Sequence, residues 1–103
     1  MEIRDVLEAF KKEIEKLYGK RLKKVILYGS YTRGDATEDS DMDLLIILEG
    51  KVIPGEEIDR MIDIITEINL KYGVLISVYP VSDDYKKVKS PLLINVRREG
   101  MPA

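Results

Sequence analysis

Ile3, Val6, Leu7, Phe10, Ile14 and Leu17 recur at the spacing of one helical face, with Glu and Lys filling the intervals, and Gly19 follows as a terminator. Residues 2–18 are therefore predicted to form an amphipathic helix. The run "KVILY", 24–28, is short and rich in β-branched residues and stops at Gly29, which predicts a strand. "MDLLIIL", 42–48, is apolar almost throughout and predicts a second, well buried strand. Pro54 and Gly55 punctuate the chain before a second helix over about 56–72, on which Ile58, Met61, Ile62, Ile65 and Ile68 share a face and Ile64 lies off the stripe. "VLISVYPV", 74–81, predicts a third strand whose Pro80 requires an edge or a bulge. Ser82 is suited to cap a short turn through Tyr85, and Ser90-Pro91 to open a last helix closed by Gly100. The order α-β-β-α-β-α predicts an α/β (α+β) fold, a small mixed sheet backed by helices.

Length and composition narrow the chemistry. The 103 residues, 45% hydrophobic, suit a single domain, 1–103, with one core. No apolar run approaches a membrane span, and residues 1–19 are too charged for a signal peptide, so a cytoplasmic location without membrane contact is expected. The chain has no cysteine and no histidine, which removes disulfides, thiolate nucleophiles, thiolate zinc sites and the most common general base. Chemistry is left to carboxylates, hydroxyls and a borrowed metal ion. The 17 basic and 19 acidic residues are interspersed, so direct binding of nucleic acid is not expected. Charged residues at 35%, only Asn69 and Asn95, and no Gln are a balance often met in proteins of hot organisms.

One spacing stands out. Gly29-Ser30 ends the first strand, and ten residues later Asp41-Met42-Asp43 opens the second. Asp41 and Asp43 are two apart at a strand start, so their side chains leave one face and can share a cation. Adjacent carboxylates repel unless something positive lies between them, and a hard, oxygen-preferring ion such as Mg²⁺ suits the pair, completed by water and substrate phosphates. Gly29 after a strand allows backbone N–H groups to approach an anion. Ser30 adds a hydroxyl, and Arg33 has the reach to bring its donor fork to the same phosphates. "GS" alone is a common turn and DxD alone a common solvated loop. Together at fixed spacing they arise by chance in roughly one chain per thousand of this length.

"GSYTRGDATEDSDMDLLIIL" resembles the GS-x10-DxD signature of the minimal nucleotidyltransferase (MNT) family, within the DNA polymerase β-like nucleotidyltransferase superfamily. The element order and the ending "PLLINVRREGMPA" are similar too. The resemblance implies that Gly29 and Ser30 hold a nucleoside triphosphate and that Asp41 and Asp43 bind Mg²⁺ as the catalytic pair. It further implies transfer of AMP from ATP to a hydroxyl, with pyrophosphate released. Members of the family are typically paired with a helical HEPN protein as antitoxin and toxin. The resemblance thus implies a HEPN partner, with a tyrosine hydroxyl as acceptor.

The pattern breaks at one place. Superfamily enzymes usually supply a third carboxylate from the next core strand, where this chain has Ser77 as the only small polar residue in "VLISVY". A serine adds no negative charge and is a poor base at neutral pH, while Asp83 and Asp84 lie beyond Pro80 and read as turn residues. Two readings therefore stand: an active adenylyltransferase that tolerates Ser77, and a catalytically weak or inactive module that binds nucleotide or partner. Tyr28 follows the strand alternation and reads as packing, Arg97 and Arg98 as complements of a helix C-terminus, and Asp35, Glu38 and Asp39 as a solvated edge.

Overall fold

The computed structural model describes residues 3–29, 41–84 and 100–102. Ser30, Arg33 and the loop acids, like Tyr85 and the helix expected from Ser90, lie outside the described residues. Helix α1 spans Ile3–Tyr18 and leads through a 3-10 turn, Gly19–Arg21, into β1, Leu22–Tyr28. Strand β2 is Met42–Leu48, α2 is Pro54–Tyr72, β3 is Ile76–Ser82 and β4 is the pair Met101–Pro102.

Strand order is β3-β2-β1-β4. The β1–β2 pair is antiparallel and the β2–β3 pair parallel, so the sheet is mixed as expected. The fourth strand was not anticipated: it pairs antiparallel with Ile26 and Leu27, and two residues including a proline carry no alternation to read. β1 starts two residues earlier than its β-branched run. A register shift between Leu22 and Lys24 interrupts the alternation there and hides the true start.

The two faces of the sheet are distinct. Val25, Leu27, Met42, Leu44, Ile46, Leu48 and Ile76 pack with Val6, Phe10 and Ile14 of α1 and Met61, Ile65 and Ile68 of α2 in the main core. Ile26, Leu45 and Ile47 form a second buried cluster, with Tyr28 and Val81 against it. Because β2 has buried positions on both faces, its residues read as one continuous apolar run rather than an alternation. The helices match their stripes with three amendments: Leu17 and Ile62 are exposed, while Ile64 is half-buried and packs on the main core, so it widens the core-facing stripe.

Pro80 shows why β3 tolerates a proline. The Met42 N–H donates to Leu75 O at 2.7 Å and the Asp83 N–H to Leu48 O at 2.8 Å. Given the parallel register, these bonds set the phase: odd-numbered β3 residues bond to β2, and even-numbered ones point their backbone outward. Pro80 is even-numbered, so its missing N–H removes no ladder bond. The Ile76 N–H, also directed outward, donates to Asn69 Oδ1 at 3.0 Å and ties the end of α2 to the start of β3. Helix α2 begins at Pro54 itself, since proline fits the first helical turn, and ends at Gly73, whose left-handed φ of 67° directs its N–H onto Asn69 O.

One buried charge had no sequence signal. Glu57 sits 3% exposed in the first turn of α2, with the Arg21 guanidinium 2.6 Å away, Arg60 at 3.5 Å, and the Tyr18 hydroxyl donating to it at 3.2 Å. Arg21 also donates to Glu49 O and Lys51 O, so one guanidinium joins the start of β1, the end of β2 and the approach to α2. Burial, then the neighbouring Glu57 carboxylate, push the Tyr18 hydroxyl up to about 12, so it remains a donor. Arg21→Ala leaves Glu57 buried with weaker compensation and is expected to lower stability by about 3 kcal/mol in urea unfolding. A loss below ~1 kcal/mol would show that Arg60 and Tyr18 satisfy the carboxylate unaided.

Candidate functional site

Antiparallel pairing of β1 with β2 brings the end of one strand to the start of the other. Tyr28 is the register partner of Asp43, and Gly29 follows directly. Since β3 runs parallel to β2, its start lies at the same end, with Ser77 in register with Asp43. Tyr28, Asp43 and Ser77 thus form one row across three strands. They face away from α1 and α2, on the side of Ile26, Leu45 and Ile47. Asp41 immediately precedes β2, exposed, and alternation places it on the side of Asp43.

Gly29 is required here for two reasons. Its φ is +81°, a conformation L side chains rarely adopt, and a Cβ at this position would overlap Asp43 Oδ2. The carboxylate therefore rests in the space that a side chain at residue 29 would fill. The sequence suggested the glycine for its open backbone; its packing against Asp43 is visible only in three dimensions. Of the five positions expected to form the site, Gly29, Asp41 and Asp43 meet at one end of the sheet, and Ser30 and Arg33 lie outside the described residues.

Tyr28 is half-buried beside the acid. Burial first, then the charge of Asp43 and the neighbouring Tyr79, hold its hydroxyl above the ordinary tyrosine range, so the ring stands protonated next to the carboxylate. It packs on the second cluster, in agreement with the reading of this residue as packing.

Strand β3, beside β2, carries no acid in register with Asp43. Ser77, exposed, holds the place opposite Asp43. Asp83 follows Ser82, which pairs with Leu48 at the far end of β2, so Asp83 and Asp84 stand roughly 20 Å along the strand from Ser77. The Ser82 hydroxyl donates to Asp83 Oδ1 and accepts from the Asp84 N–H, as turn residues do. Among the described residues no three acidic, histidine or cysteine side chains group as metal ligands. Two same-face carboxylates fit an ion of the Mg²⁺ type, which takes one or two carboxylates and completes its shell with water and substrate phosphate.

Residues 7–102 match the model of the nucleotidyltransferase domain. The chain is 41% identical to MJ0604 of Methanocaldococcus jannaschii, provisionally named a protein adenylyltransferase, over 91% of this chain and 90% of that one. It is 36% identical to the protein adenylyltransferase MntA of Thermococcus cleftensis, over 71% of this chain and 82% of the relative. Its fold is that of a chain in the solved complex of the tri-AMPylated Shewanella oneidensis HEPN toxin with its MNT antitoxin, with a TM-score of 0.55 at 13% identity, covering 92% of this chain and 69% of that one. A family match across nearly the whole chain, with the family's strand-turn and acidic strand meeting at one end of the sheet, establishes that this chain belongs to the nucleotidyltransferase domain family.

Proposed function

We propose that this chain, as one minimal cytoplasmic domain, transfers AMP from Mg²⁺-ATP to a tyrosine hydroxyl of a HEPN-domain partner and so acts as its antitoxin. The observation that carries the reading is the packing of Asp43 against the backbone of Gly29, which supports a phosphate seat beside an acidic pair. Support comes from the named activity of the relatives and from the AMPylated HEPN toxin in the structural neighbour. No helix among the described residues is long and apolar enough to cross a membrane.

In this reading the backbone at Gly29, with Ser30 and Arg33, holds the triphosphate, and Asp41 and Asp43 hold the ion. When bound, Mg²⁺ supplies neutralisation of the phosphate charge as it redistributes. The acceptor oxygen attacks the α-phosphorus, the bond from that phosphorus to the bridging oxygen of the β-phosphate breaks, pyrophosphate departs, and the hydroxyl proton is released. Positioning and charge suffice for such a transfer, which accords with a chain lacking histidine and cysteine.

A second reading is favoured by Ser77. With no carboxylate opposite Asp43, the domain would bind nucleotide or partner with weak turnover or none. Intact mass spectrometry of a HEPN-domain partner protein, after incubation with this chain and Mg²⁺-ATP, separates the two. AMP adducts that disappear with the Asp41→Asn, Asp43→Asn double variant are expected. An unmodified partner that co-purifies equally with both forms would establish the binding module instead.

Two further substitutions probe the same geometry. Gly29→Ala forces a strained φ and displaces Asp43, so it is expected to cost about 1–2 kcal/mol of stability in thermal unfolding and to weaken Mg²⁺-ATP binding more than tenfold. Wild-type calorimetry in a folded Gly29→Ala protein would detach Gly29 from the site. Ser77→Asp restores a carboxylate opposite Asp43 and is expected to tighten Mg²⁺-ATP binding about fivefold, the effect of one added, partly exposed charge. Unchanged affinity in the folded variant would mean that Ser77 does not occupy the third position.

A further inference from the structure

The edge strand beside the acidic pair carries an apolar ledge that the transfer reaction leaves unused. β3 is terminal in the sheet order, and its ladder to β2 extends one residue back to Leu75. Alternation places Leu75, Ser77 and Tyr79 on the side of Asp43, and all three are exposed: Leu75 is 61% and Tyr79 38% accessible. Tyr79 is the register partner of Leu45, which is wholly buried. The buried part of this face therefore ends at the Tyr79 ring, and the open part begins there, at the acid. The other large exposed apolar residues among the described ones, Leu17, Ile53, Ile62 and Leu70, belong to the helices or the approach to α2 rather than to this strand.

Taken together, a small residue opposite Asp43 lies between two large apolar ones, which makes a notch with two jaws. An aspartate at residue 77 would project a charge into that notch. A serine leaves room for a flat ring and sets apolar contact on either side, with the ring's hydroxyl directed toward the carboxylates. Among the described residues β3 is the terminal strand of the sheet, with Leu75, Ser77 and Tyr79 exposed along it.

We propose that Leu75 and Tyr79 are acceptor-positioning residues, which hold the aromatic ring of a protein tyrosine over the Ser77 notch beside Asp43. This rests on the adenylyl-transfer reading above and adds the means by which a phenolic acceptor is selected over an aliphatic hydroxyl. Tyr28, on the opposite side of Asp43, packs on the second cluster.

The test is steady-state transfer from Mg²⁺-ATP to a HEPN-domain partner protein, with wild type, Tyr79→Ala, Tyr79→Phe and Leu75→Ala compared. Mg²⁺-ATP binding is measured separately by calorimetry without acceptor. Tyr79→Ala is expected to raise the acceptor KM about tenfold or more, with kcat and nucleotide affinity nearly unchanged, and Leu75→Ala to do the same to a smaller degree. Tyr79→Phe retains the ring and is expected to restore the KM to within about twofold of wild type. A wild-type acceptor KM in a folded Tyr79→Ala protein overturns the proposal. So does a loss of nucleotide affinity equal to the rise in KM, which would make Tyr79 a nucleotide contact. If the wild-type protein transfers nothing and matches the Asp41→Asn, Asp43→Asn double variant, the transfer reading itself fails, and the acceptor role falls with it.

Discussion

The antiparallel register of β1 on β2 is the constraint on which the rest of this molecule depends. It sets Tyr28 opposite Asp43, and so delivers the turn at Gly29 to the carboxylate that begins the next strand. A slip of one residue would send Asp43 into the core shared by α1 and α2, and would turn Leu44 and Ile46 toward the open end. The burial of Met42, Leu44, Ile46 and Leu48 under the helices forbids that slip, since several fully buried side chains would have to exchange faces. Core packing thus fixes the position of an acid that itself contributes nothing to the core.

The remaining elements extend this register. β3, parallel to β2, begins where β2 begins, so Ser77 joins the row of Tyr28 and Asp43 while Asp83 and Asp84 are carried to the other end. At that other end Arg21 and Glu57 join β1, β2 and α2, which holds the start of β1, the end of β2 and the helix in fixed relation. Charge is therefore used in two different ways at the two ends of one sheet. At Glu57 it is buried, paired and structural; at Asp41 it is exposed.

Much of this was legible in the residues. The helical stripes of α1 and α2, the apolar run of β2 and the proline that marks β3 as an edge each reflect a local period or a local steric rule. Glu57 was not legible, because in sequence it is one of several acids at the start of a helix, and its burial is matched by the guanidinium that Arg21 brings from the turn before β1, distant in the chain. β4 was not legible either, since two residues are too few to show a period. The core-facing placement of Ile64 and the exposure of Ile62 depend on where α1 lies across α2, which no single helix encodes.

By itself the sequence determined the helices α1 and α2 and the strands β1 to β3, that Asp41 and Asp43 share a face, and that histidine and cysteine chemistry is excluded. Those properties follow from neighbouring residues and from composition, so they survive without any knowledge of what packs on what. Only the tertiary structure decided that Gly29 makes room for Asp43, that Ser77 stands in register with Asp43, and that Leu75 and Tyr79 flank it in the open. Each of these depends on strand pairing between residues far apart in the chain, and the energy that selects one pairing over another is the burial of a core which exists only when all the elements have assembled.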